Sequence, residues 1–170
     1  YNVGETVQLT FPAGSNGRAL LSLENGSGVL EERWIDTKAG DNIYKFKTTK
    51  EMSPTVYASL TVLQAHEQEE NDMPLRAYGV IPIAVSDPDT RLNPSLKVAD
   101  ELEPEQTFTV EVAEKDGRPM AYTLAVVDEG LLGLTRFKTP DPHDEFYARE
   151  ALGVKSWDLY NYVLGRHNTQ

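Results

Sequence analysis

Apolar and polar residues alternate over short runs along most of this chain, a period of two that puts one face of each run against a core and the other in water. The runs are Glu5 to Phe11, Arg18 to Glu24, Leu30 to Thr37, Asn42 to Lys47, Thr55 to Gln64 and Leu75 to Val85. Turn formers separate them, as in Pro12-Ala13-Gly14-Ser15-Asn16-Gly17 and Asn25-Gly26-Ser27-Gly28. Strands of this length at intervals of about ten residues predict an antiparallel sandwich.

Ser86-Asp87-Pro88-Asp89-Thr90 combines turn formers with a proline that cannot donate to a ladder, and a module boundary is predicted there. The modules are then residues 1–86 and 87–170. Further strands are predicted at Ser95 to Val98, Gln106 to Glu114 and Ala121 to Val127, with Lys115-Asp116-Gly117-Arg118-Pro119 as a hairpin loop. Tyr122 to Val127 is nearly all apolar or β-branched, which predicts a central strand covered on both faces.

Helical signals come late. Asp141 is an acceptor at the N-cap, Pro142 takes the first helical position, and Asp144 and Glu145 lie beside the positive dipole end. A helix from Pro142 to about Leu152 is predicted, ended by Gly153. Ser156 caps a second through Leu164, with Trp157, Tyr160 and Leu164 on one face, and Gly165 stops it. The polar tail Arg166 to Gln170 should be exposed. Only three strands of the later module are visible, so its remaining strands are expected beyond Gln170, on the far side of an insertion.

Composition removes several function classes. An apolar fraction of 39% over 170 residues suffices for a packed core in one large domain or two small ones. The net charge of −11, from 16 basic and 27 acidic residues, argues against nucleic acid and anionic membranes as partners. No apolar run approaches the ~20 residues of a spanning helix. With no cysteine there is no thiol catalysis, disulfide or Cys-based zinc site. The chain starts at Tyr1 with no charged-then-apolar leader, so it is read as a piece of something longer.

Candidate chemistry is sparse. His66-Glu67-Gln68-Glu69-Glu70 begins like the zinc-protease helix H-E-x-x-H, but Glu70 stands where the second histidine ligand is needed, and a solvated hairpin loop is the better reading. Asp87 and Asp89 lack the glycine and bidentate glutamate of a calcium loop and read as a linker turn. Asp128 and Glu129 are adjacent carboxylates, yet strand neighbours point to opposite faces, so a turn hydrogen-bonded to local backbone is expected instead of glycosidase chemistry. His66, His143 and His167 belong to no Ser-His-Asp pattern, and there is no G-x-S-x-G elbow or phosphate-cradling glycine loop. Asn25-Gly26-Ser27 is a formal glycosylation sequon that reads more simply as a turn. No enzyme, cofactor or metal is predicted.

The stretch Leu124 to Leu134, Leu-Ala-Val-Val-Asp-Glu-Gly-Leu-Leu-Gly-Leu, continued through Thr135 to Pro142 and then Phe146 to Val154, resembles the bait-region-bearing domain of bacterial alpha-2-macroglobulins. Within it Val127, Asp128, Glu129, Gly130 and Leu131 form the motif, expected to be structural. Asn71 to Ile83 resembles the end of the macroglobulin-type sandwich that precedes that domain.

The resemblance implies an all-β fold of tandem antiparallel macroglobulin or fibronectin-III-like sandwiches, with two short helices near the C-terminus. Residues 1–86 would be a macroglobulin-like sandwich and 87–170 the N-terminal part of the domain that carries the bait. It implies a non-catalytic part of a broad-spectrum endopeptidase inhibitor, which traps proteases after they cut an exposed bait. The family's thioester, where present, needs a cysteine and cannot lie here. The bait would begin near Gly165, making Arg166, with His167 after it, the first cut site for a trypsin-like protease. Partners would be target proteases and neighbouring macroglobulin domains. The setting would be extracytoplasmic, in the periplasm or at the cell surface, with a lipoprotein among the forms of the parent. The alternative is a cell-surface adhesin or carbohydrate-binding sandwich pair, which a row of exposed aromatics on one sheet face would favour; Trp34 is its best candidate.

Overall fold

A computed structural model describes residues 1–64, 76–157, 159 and 162. The chain forms two compact units: Tyr1–Asp87 together with the segment from Tyr147 onward, and Pro88–Phe146.

In the first unit β1 (Thr6–Ala13) pairs antiparallel with β4 (Gly40–Lys47) as a two-stranded sheet. The second sheet has four antiparallel strands in the order β3 (Val29–Thr37), β2 (Gly17–Glu24), β5 (Thr55–Gln64), β6 (Arg76–Ala84). The alternation works as the pattern predicts: in β1, Val7, Phe11 and Ala13 are buried between exposed Thr6, Thr10 and Pro12. Pro12 is tolerated because, among the described residues, β1 has a single ladder partner, which leaves one edge needing no donor. Val7, Leu21, Leu23, Phe46, Met52, Val56, Ala58, Ile83 and Val85 form the core, with Leu9, Ile35, Tyr44 and Leu60 half-buried around it.

The β2–β3 connection is held by Asn25, whose Oδ1 accepts from the N–H groups of Ser27 (2.8 Å) and Gly28 (3.0 Å). This is the turn that the sequon Asn25-Gly26-Ser27 reads as.

In the second unit β7 (Pro94–Lys97) pairs antiparallel with β8 (Glu111–Glu114), and two short helices follow: α1 (Glu129–Thr135) and α2 (Pro142–Phe146). The predicted strand Gln106 to Glu114 is thus confined to its last four residues. Ala121 to Val127 forms no strand, and its side chains are not covered: Tyr122 is 59% exposed and Val126 68%. Apolar content signals that a segment wants cover, but a strand exists only where another backbone supplies a ladder, and none does so among the described residues. Burial on both faces is found instead in β2 and in the first half of β5.

The helix predicted to about Leu152 stops at Phe146, because from Tyr147 the chain joins the first unit. The helix predicted from Ser156 to Leu164 lies mostly outside the described residues; Ser156 and Trp157 are not helical, and the Tyr162 N–H donates to Leu159 O at 2.9 Å.

Candidate functional site

The motif Val127 to Leu131 sits at the entry to α1. Asp128 has extended backbone, and its side chain accepts the Leu131 N–H at 3.3 Å, satisfying one of the donors that a helix start leaves free. Glu129 is already helical, so the two carboxylates have separate places and do not converge on a substrate. A Cβ at Gly130 would lie 3.0 Å from Asp128 Oδ1, so the glycine leaves room for the capping carboxylate. Arg136 ends the helix in the left-handed conformation, its N–H donating to Leu132 O at 3.1 Å. Val127 and Leu131 are exposed.

Upstream, Glu114 organises the loop after β8. Its side chain has no exposed surface, and its oxygens accept from the N–H groups of Asn93 (3.1 Å), Asp116 (2.7 Å) and Arg118 (3.1 Å) and from Arg118 Nη2 (3.1 Å). Burial pushes the carboxyl up, but these donors outweigh it and hold it at about 2. The Arg118 guanidinium also donates to Asp89 O (2.9 Å) and Arg91 O (2.6 Å), tying the linker to this loop. Arg91 pairs with Asp141 at 3.0 Å, and Asp141 Oδ1 accepts from the N–H groups of His143 (3.0 Å) and Asp144 (3.4 Å), as its N-cap assignment requires. Thr90 Oγ1 lies 3.0 Å from His143 Nε2. Sequence reasoning missed Glu114 and Arg118, since nothing in their spacing announces a loop that closes on a carboxylate.

In the first unit residues 147–154 lie on the outer face of the four-stranded sheet. Tyr57 Oη donates to Glu150 O at 2.8 Å, the Arg149 guanidinium stands 6.0 Å from the Tyr57 ring centroid, and Gly153 lies against the Gly26 carbonyl. Trp34 is half-exposed on this same face, under the Arg18 guanidinium at 5.0 Å. The ladder register puts Trp34, Leu20, Thr61 and Tyr78 in one cross-strand row, so aromatic rings stand at its ends with an aliphatic and a small polar residue between them.

Asp87 is buried and faces Lys50 Nζ at 3.8 Å. Arg166 and His167, the expected bait start, lie outside the described residues, as do His66 to Glu70 and the acidic loop after them. Among the described residues no group of three or more His, Asp or Glu is placed to hold a metal, and no helix is long and apolar enough to cross a membrane.

A two-sheet antiparallel unit followed by a short hairpin unit with two small helices defines the chain as an all-β protein of sandwich type, and comparison with known proteins gives the family. The family model for the alpha-2-macroglobulin bait region domain matches residues 1–134, a span that runs across Ser86 and Asp87, and the chain belongs to that family. It is 26% identical over 170 residues to the alpha-2-macroglobulin of Escherichia coli strain K12 and 28% identical over 166 residues to that of Xylella fastidiosa strain 9a5c. Each match covers 96% of this chain and 10% of the relative, so the chain spans a tenth of the length of these proteins. A solved structure of E. coli alpha-2-macroglobulin in its native conformation has the same fold, with a TM-score of 0.52 at 23% identity over 90% of this chain and 10% of that one.

Proposed function

We propose that this chain is a non-catalytic, bait-bearing part of an endopeptidase inhibitor that traps proteases once they cut it. The bait-region-domain match over residues 1–134 carries the reading. The functional boundary is drawn at Ser86 and Asp87, with a macroglobulin-like sandwich before it and the first part of the bait-bearing domain after it. Strands that complete the later domain would belong to the rest of a parent whose relatives are ten times longer. The uncovered apolar run Tyr122 to Val127 is what such strands would pair with.

Partners are target proteases, met through the bait, and neighbouring macroglobulin domains; the setting is extracytoplasmic. Cutting a bait removes a loop constraint whose entropy grows only slowly with length, so the stored bias resides mainly in domain interfaces. This chain alone should therefore show no global switch. Arg166 is the first cut site. Brief trypsin digestion followed by mass spectrometry should release a peptide ending at Arg166 among the earliest products. A bond between Arg166 and His167 that survives while other sites are nicked counts against the assignment.

A further inference from the structure

We propose that residues 147–154 form a releasable strap on the outer face of the four-stranded sheet, anchored by Tyr57 and seated by Gly153 on Gly26, which holds the chain upstream of the bait until the bait is cut. The purpose given to the strap rests on the bait reading; its geometry does not.

The two faces of the sheet differ in chemistry. The inner face, with Leu21, Leu23, Val56 and Ala58, is what permanent burial selects. On the outer face the residues sharing cross-strand rows are Ser22 with Ser59 and Glu24 with Tyr57. They are just as inaccessible: Ser22 is 7% exposed, Glu24 4% and Ser59 6%. Glu24 is the ladder partner of Tyr57 and stands two residues before Gly26, the two residues the strap contacts.

That polar row is incompletely satisfied when covered. Among the described residues Ser22 Oγ has no hydrogen-bond partner, and the Glu24 carboxylate accepts one hydrogen bond, from Ser59 Oγ at 3.2 Å. Covering such groups withholds hydration that the protein does not fully replace. Of the strap's apolar side chains Leu152 and Val154 are half-buried, while Tyr147, Ala148 and Ala151 are exposed. A segment with few apolar contacts over unsatisfied polar groups opens at low cost, and the exposed row is readily hydrated. The inner core does not depend on it.

The strap carries its own reporters, because Arg149 within it and Lys155 just after it are exposed trypsin sites. Cleavage there follows the open population when reclosing is fast. Two variants of the full chain loosen it: Tyr57→Phe removes the donor to Glu150 and keeps the ring, and Gly153→Ala puts a Cβ into the Gly26 carbonyl. Gly28→Ala, at a position with open space, is the control. Initial cutting after Arg149 and Lys155 should rise roughly fivefold in Tyr57→Phe, the change expected for one lost hydrogen bond, and further in Gly153→Ala. Amide protection of Thr55 to Ser59 should persist in both.

Unchanged cutting in both variants would overturn the strap. So would loss of Thr55 to Ser59 protection in Tyr57→Phe, which would make the segment an integral part of the sandwich. The Arg166 bond is scored separately in the same digests. Faster cutting at Arg149 with an inert Arg166 sinks the bait reading and leaves the strap; the reverse result does the opposite.

Discussion

Glu111 and Glu114 are the first and last residues of β8, three positions apart, and the fold treats them differently. Glu111 makes an exposed pair with Lys97 at 3.0 Å, of a kind worth about 0–1 kcal/mol. Glu114 is enclosed by three backbone N–H groups and a guanidinium, and its pKa falls from the ordinary 4.5 to about 2. A depressed carboxyl stabilises the folded state above its unfolded pKa, and that contribution is lost as pH falls through the folded value. The loop should therefore keep its structure at neutral pH and lose stability between about 4.5 and 2, with the amide shifts of Asn93, Asp116 and Arg118 titrating together near pH 2. Glu114→Gln should reduce the exchange protection of those three amides at pH 7, while Glu111→Gln should leave them unchanged. At Asp128 a turn bonded to local backbone was legible, and the structure adds that the bonded N–H groups open a helix, which the spacing of the residues did not announce. The enclosure of Glu114 was not legible, because its donors come from residues on both sides of the hairpin.

At the scale of elements, the strands of the first unit follow the period of two with ends moved by one or two residues, and Thr55–Gln64 is found as expected. Local pattern suffices there because each strand has its partners within the same unit. It misleads at Tyr122 to Val127, where apolar content is present and a partner is not. It also hides α1, whose seven residues include Gly130 and Gly133, each costing about 1 kcal/mol relative to alanine. So short and glycine-rich a helix depends on its ends. Asp128→Ala should cost about 1 kcal/mol and lower the exchange protection of the Leu131 and Leu132 amides. Asp128→Asn, which keeps an acceptor, should restore most of it.

For the whole molecule, the core belongs to the first unit, and Leu23 is one of its fully buried side chains. Leu23→Ala should destabilise that unit by about 3 kcal/mol. The shift should appear as a lower urea midpoint for the amides of β2 and β5, with those of β7 and β8 unfolding at the same urea concentration as before. A common shift in both units would show that they unfold together. Family membership rests on the whole length of the match and not on any single residue.

The order of residues alone determined the β character, most strand positions in the first unit, the Asp141-Pro142 helix entry, a backbone-bonded turn at Asp128 and the resemblance to the bait-bearing domain. These depend on periodicity and on near neighbours, which are written in the chain. Tertiary structure alone decided that Tyr147 onward leaves its helix for the first sheet, that Tyr122 to Val127 lies uncovered, and that Glu114 is a hydrogen-bonded centre. Each of those depends on which distant backbone supplies a donor, an acceptor or a surface, and sequence spacing carries no record of that.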